Sequence, residues 1–296
     1  MSDQQRVTLT DPATRALQMR QHVEAVAQSI LTDHRADALF QQVLSSRRHI
    51  HNYSVRNRIL QSWQCPLGKC FASLGAYDRI AADQGAETAT IGRRRQRVMI
   101  RQGGKAVWVW GRYTSRRPLH DSVEDNESIE VVQYRPMATW AVEDIVYAVS
   151  GEPLQLPDHV QAVDDRGLYD GLIAFAAHKQ IQIVHTGIVG ARGVSHGGKI
   201  SLQHGDSEAL QLPVLAHEVV HELLHASRDS ARLPKAMVEL EAETGAAVLL
   251  RHYGHDVPAS SAYLRQFGVK PQEVLASMDR ILRATSEVVQ FVEGRE

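Results

Sequence analysis

Residues 215–227, LAHEVVHELLHAS, spell the pattern H-E-x-x-H twice around a shared histidine. His217, Glu218 and His221 make the first copy; His221, Glu222 and His225 make the second. On a helix, side chains four residues apart stand one above the other on the same face. Two imidazoles can therefore grip one Zn2+, while the adjacent glutamate serves as general base toward the attacking water. Zinc lowers the pKa of a bound water from about 15.7 to about 7, so hydroxide is available at neutral pH. Val214, Leu215, Ala216, Val219 and Val220 are uncharged, as a buried active-site helix requires. Pro213 suits that helix's first turn.

The third ligand has to come from elsewhere. VELEAETGAA puts Glu239, Glu241 and Glu243 on the next long helix, 18–22 residues after His221. Ala242, Gly245, Ala246 and Ala247 let two helices approach closely, and carboxylates beside them are costly to bury unless paired or bound to metal. The first copy is favoured, because the second leaves only 14 residues between His225 and Glu239 for a turn and return. Glu222 is then tolerated facing solvent. His225, about 80° around the helix from His217, is left for packing, a hydrogen bond or a substrate contact. Glu239 and Glu243 are i,i+4 partners; one binds the metal and the other orients a histidine. Glu241 points elsewhere and is expected at the surface.

The chain has 296 residues, of which 43% are hydrophobic, enough for two domains with their own cores. Cys65 and Cys70 do not make a C-x-x-C pair and read as reduced thiols. Charged residues from Asp3 to Glu24 interrupt any secretory apolar region, and no stretch approaches the roughly 20 apolar residues of a membrane span. A cytoplasmic protein with no membrane partner is expected.

The net charge of -1 conceals an asymmetry. Residues 1–120 carry 19 Lys and Arg against 8 Asp and Glu; the remainder carries 14 against 26. A basic half points to nucleic acid. GRRRQRVMIR (92–101) supplies Arg93, Arg94, Arg95, Arg97 and Arg101, and RRHIHNYSVRNR (47–58) supplies Arg47, Arg48, Tyr53, Arg56 and Arg58. Trp108, Trp110 and Arg112 share one face of a strand by two-residue alternation. Together these make a candidate surface for single-stranded DNA, with rings to stack bases and arginines to pair phosphates. The alternative for the tryptophans is the core. Asn57 and Tyr53 are caps or contacts.

Periodicity predicts helices over 12–46, 71–83, 163–178, 235–254 and 271–293, and strands over 130–142, 181–186 and 198–202. RVMIRQGGKAVWVWGRY (97–113) reads as a hairpin turning at Gly103-Gly104, and 114–130 as a loop. GEPLQLPD (151–158) carries two prolines and marks the boundary between domains 1–150 and 151–296. The fold class is α+β.

PVLAHEVVHELLHA followed by VELEAETGAAVLL resembles the metallopeptidase domain of IrrE/ImmA-type and ArdC-type antirestriction proteins. The resemblance implies a zincin-like domain over 151–296, with Glu239 as ligand through the pattern E-x-x-A-E. It also implies an edge strand ahead of the motif helix, here KISL, that binds extended substrate. YSVRNRIL (53–60) and RQGGKAVWVWGRY (101–113) resemble the ArdC-type N-terminal domain, which implies single-stranded-DNA binding over 1–150 and protection of incoming plasmid DNA from restriction. Three functions follow as expectations. One is an antirestriction protein with single-stranded-DNA binding and zinc peptidase chemistry, on Zn2+ or on Mn2+ or another divalent ion, acting on an unknown protein substrate. The second is a DNA-binding protector with a silent metal site. The third is a regulatory metalloprotease that cleaves a repressor.

Overall fold

The computed structural model describes residues 11–33, 43, 53–68, 70–118, 128–156, 163–226, 233–255, 257 and 270–294. The chain divides into two compact units, Met1–Ala25 with Arg48–Leu156 and Val26–Arg47 with Pro157–Glu296. Both units mix helices with small sheets, an α+β arrangement.

Helix α1 (Pro12–Thr32) starts behind Asp11, whose carboxylate accepts the amides of Ala13 and Thr14. In the first unit, α2 (Val55–Gln64) and α3 (Leu74–Asp83) are capped by Ser54 and Ser73, which take otherwise orphaned amides of the first turn. Strands β1 (Phe71–Ala72), β2 (Ala89–Ile91), β3 (Arg94–Gln96) and β4 (Val98–Ile100) precede a long ribbon of β5 (Val107–Pro118) and β6 (Ser128–Ala141). These two pair antiparallel from Val107↔Thr139 to Pro118↔Ser128, and β1 pairs with the far edge of β6. Tyr77, fully buried, ties α3 to this sheet by donating to the carbonyls of Trp140 and Cys70 at 2.9 and 3.2 Å.

Two expectations fail here. Residues 98–100 and 107–112 do not form a hairpin: β4 pairs instead with β7 (Ile145–Tyr147). The Gly103-Gly104 turn exists, with Gly103 at φ 85°, but Asp144 holds it. Its carbonyl accepts the Arg101 amide at 2.9 Å, and its carboxylate takes the Arg101 guanidinium at 2.8 Å and the Lys105 amide at 3.3 Å. The turn is thereby fastened to the segment ahead of β7, which supplies the partner strand. Nor is 114–130 a loop throughout, since β5 runs to Pro118 and β6 starts at Ser128.

The second unit contains α4 (Asp165–His178), β8 (Gln182–Thr186), β9 (Gly193–Ser195), β10 (Lys199–Gln203), α5 (Glu208–His225), α6 (Lys235–His252) and α7 (Pro271–Val292). Sheet order is β8-β10-β9. KISL therefore lies in the central strand and not at an edge, parallel to β8 and antiparallel to β9, which are the two edge strands. Pro213 lies in the second turn of α5, not the first. The core joins Leu168, Leu172 and Phe175 of α4, Ile200 and Leu202 of β10, Leu215 and Val219 of α5, Leu249 of α6 and Val288 of α7. Among the described residues, no helix is long and apolar enough to cross a membrane.

Candidate functional site

Helix α5 buries its Leu212, Leu215, Ala216, Val219 and Val220 face against this core. Its 3.6-residue period then turns His217 and His221 together toward α6, with ring centroids 4.5 Å apart. Close approach of α6 depends on Gly245, where a Cβ would fall 2.6 Å from Val220 Cγ1. That packing delivers Glu239. Its Oε2 lies 3.7 Å from His217 Nε2 and 3.4 Å from His221 Nε2. The three ligand atoms lie within 4.8 Å of one another, the spacing needed to hold a metal ion. Zn–N and Zn–O bonds of about 2.0–2.1 Å at tetrahedral angles separate ligand atoms by about 3.4 Å. The donor set therefore fits a divalent cation. Glu239 sits at the rim, half exposed, while His221 is largely buried. Burial, then the neighbouring His221, keeps His217 below its usual pKa, so the imidazole is neutral and its lone pair available.

Glu218 is buried. Burial first, then the nearby Glu239 carboxylate, pushes it up to about 7, against an opposing hydrogen bond from the Ser195 amide. Glu243 is exposed and stands outside the cluster, so Glu239 is the carboxylate that meets the histidines.

The second copy of the motif has other duties. Glu222 is buried and accepts from Ser195 Oγ at 2.7 Å, Gly197 N–H at 3.0 Å and Gly198 N–H at 2.6 Å, so it does not face solvent as expected. His225 has a buried side chain, with Nε2 3.6 Å from Glu241 Oε2. Burial, then His221 and Arg280, lowers it to about 4. Glu241, expected at the surface, is fully buried. It accepts from Ser277 Oγ at 2.6 Å and pairs with Arg280, both on α7. The physical reason is that α6 is sandwiched: Glu239 faces α5, and Glu241, about 200° further round, faces α7.

The basic unit disposes of several candidate DNA contacts internally. Arg58 is buried and its Nε donates to the Tyr53 carbonyl at 3.2 Å. Tyr53 is half-buried, and burial raises its hydroxyl pKa. Arg97 pairs with Asp78 at 3.5 Å and Arg101 with Asp144. Arg95 donates to Thr88 Oγ1 at 2.7 Å while staying exposed. Trp108 and Trp110 are half-buried under α1, with the Arg15 guanidinium 3.7 Å and that of Arg20 5.5 Å from their ring centroids. Their backbones are clamped as well. Gln64 pairs with the N–H and C=O of Trp108 at 2.9 and 2.8 Å, and Asn57 with those of Trp110 at 2.8 and 2.9 Å. Seven residues apart on one face of α2, the two amides finish the edge of β5 as a neighbouring strand would. Asn57 is thus an edge clamp. Arg56, Arg93, Arg94 and Arg112 are exposed. Arg47 and Arg48 lie outside the described residues.

The reading of residues alone missed the aromatic side chains further along the ribbon. Tyr134 is 65% exposed and pairs across from Arg112. On the opposite face the Arg135 guanidinium lies 4.1 Å from the ring centroid of Tyr113, itself 40% exposed. Arg-Tyr alternation in YRPM and GRYT is the sequence signal that marks them. It missed β9 too. Gly197 and Gly198, at φ 71° and 91°, are the glycine pair of a tight hairpin turn.

No family model matches the chain, and no curated protein matches it in sequence. Two solved structures are similar in fold. The metal-free crystal structure of the antirestriction protein ArdC from plasmid R388 aligns over 92% of this chain and 98% of that one, with a TM-score of 0.53 and 16% identity. The Mn(II)-bound structure of the same protein aligns over 91% and 97%, with a TM-score of 0.48 and 14% identity. This chain has the overall fold of the metal-free ArdC structure.

Proposed function

We propose that this chain is an antirestriction protein that couples single-stranded-DNA binding to zinc-dependent peptidase chemistry. The observation that carries the reading is the convergence of His217, His221 and Glu239 within 4.8 Å, with the buried Glu218 next to His217 on α5. A divalent ion held by these three side chains supplies Lewis acidity, polarising a carbonyl and making water acidic near neutral pH. Glu218 contributes the proton traffic. Placed beside the ligands, its carboxylate would take a proton from the attacking water and return it to the leaving amine. Zinc is the ion favoured by two imidazoles and one carboxylate; manganese and other divalent ions are its competitors.

The fold shared with ArdC supports the antirestriction role. Single-stranded-DNA binding is supported by the exposed Arg56, Arg93, Arg94 and Arg112, and by Tyr113 and Tyr134 on the ribbon. These offer phosphate partners and stacking faces without sequence preference. The paired Arg97 and Arg101, the buried Arg58 and the covered tryptophans serve the fold.

The test compares wild type with Glu218→Gln, both zinc-loaded. Wild type is expected to hydrolyse unfolded casein and bind oligo(dT). Glu218→Gln is expected to keep zinc and oligo(dT) binding and to lose hydrolysis. Hydrolysis undiminished in Glu218→Gln removes the peptidase reading; oligo(dT) affinity independent of salt removes the DNA reading.

A further inference from the structure

Glu239 is half exposed, and among the described residues its carboxylate pairs only with the imidazoles of His217 and His221. Its place is therefore set by the backbone of α6. Apolar packing alone fixes that backbone poorly. Ala242, Ala246, Ala247, Val248 and Leu249 are all buried, and at 100° per residue they run round the helix, so no single apolar stripe sets its rotation. The tolerance is small. Side-chain tips lie about 5–6 Å from a helix axis, so a roll of about 20° carries one about 2 Å. Metal–ligand distances tolerate only about 0.2 Å.

Glu241 supplies the missing constraint. It lies about 200° round α6 from Glu239 and is fully buried. Its Oε1 accepts from Ser277 Oγ at 2.6 Å and pairs with the Arg280 guanidinium, both on α7. Its Oε2 lies 3.6 Å from Nε2 of His225, one turn past His221 on α5. Moving this carboxylate off its donors costs more than sliding an alanine along a neighbouring helix. We infer that Glu241 is a positioning residue for the metal site: held by Arg280 and Ser277, it fixes the rotation of α6 that brings Glu239 to His217 and His221. Helix α7, which offers no ligand, thereby takes part in the geometry of the site. The inference rests on the reading of His217, His221 and Glu239 as metal ligands.

The experiment titrates zinc into the metal-free full chain against a coloured zinc chelator, at a temperature where each variant is folded. Glu241→Ala and Arg280→Met are each expected to weaken zinc binding by roughly tenfold or more. Arg280→Lys, which keeps a cation on Glu241, should recover most of the affinity. Ser277→Ala removes one bond and should give a smaller loss in the same direction; with Arg280→Lys it carries the test if Glu241→Ala fails to fold. Phe175→Leu truncates the core on α4, away from the knot, and should lower stability with zinc affinity unchanged. With cobalt(II) in place of zinc, the visible spectrum should change in Arg280→Met and not in Phe175→Leu. Zinc affinity within about twofold of wild type in Glu241→Ala and Arg280→Met, or a loss in Phe175→Leu as large as theirs, overturns the inference and leaves the metal reading standing. A wild type that holds no zinc removes the metal reading and the inference with it.

Discussion

In the unit that carries α5 and α6, carboxylates are drawn inward. Glu218, Glu222 and Glu241 are all buried, and Glu239 leans over two histidines. In the unit that carries the β5–β6 ribbon, arginines are held one at a time: Arg97 on Asp78, Arg101 on Asp144, Arg15 on the face of Trp108. The difference teaches where a ligand is needed. Glu222 and Glu241 have hydrogen-bond donors around them, whereas burial leaves Glu218 with a raised pKa and Glu239 meets two imidazoles.

The largest effect that can break this comparison is on Glu241. Replacing it with Ala strips Arg280 and Ser277 of a fully buried partner and should cost about 2–4 kcal/mol in urea unfolding. A loss under about 0.5 kcal/mol would mean that the inward acids of α6 are not structural.

Next comes nucleic acid. Tyr134→Ala should weaken oligo(dT) binding by about 1–3 kcal/mol with unfolding unchanged, and Arg93→Ala should reduce the salt slope by about one. Trp108→Ala should instead lower stability, because its ring carries Arg15 and its neighbours Val107 and Val109 are core. A Trp108→Ala protein of full stability that no longer binds oligo(dT) would return the tryptophans to the interface.

The motif helix was legible because a helix has one period: placing His217 on a face places His221 there too. Glu239 needed only a second helix packed closely, and Gly245 and the alanines announced it. Glu222 and Glu241 were not legible, because their partners, Ser195 and Arg280, lie 27 and 39 residues away in sequence. Strand alternation correctly set Trp108, Trp110 and Arg112 on one face. It carries no information on what covers that face, and α1 does. The Gly103-Gly104 turn was read correctly as a turn and wrongly as a hairpin, since Asp144, far along the chain, chooses the strand partner.

Smaller still is the acid dependence of stability. His22 stacks on Trp63 at 3.7 Å and, like His225, is lowered to about 4 by burial. Each binds its proton more weakly folded than unfolded. Their contribution is therefore intact above about pH 6.5 and lost as pH falls toward 4. His22→Phe, which keeps a ring on Trp63, should flatten that fall by on the order of 1 kcal/mol in unfolding measured at pH 4.5 against pH 7. An unchanged pH profile would show that His22 is not held neutral. Smallest is Arg101→Ala, a half-exposed pair, expected to cost under about 1 kcal/mol in the same assay.

The first copy of the overlapping motif, and not the second, is expected to hold the ion. Tight zinc after exhaustive dialysis, counted by mass spectrometry of the metal, tests it in three proteins. Wild type and His225→Ala should each retain about one zinc per chain, and His217→Ala none. Zinc kept by His217→Ala and lost by His225→Ala would contradict the account.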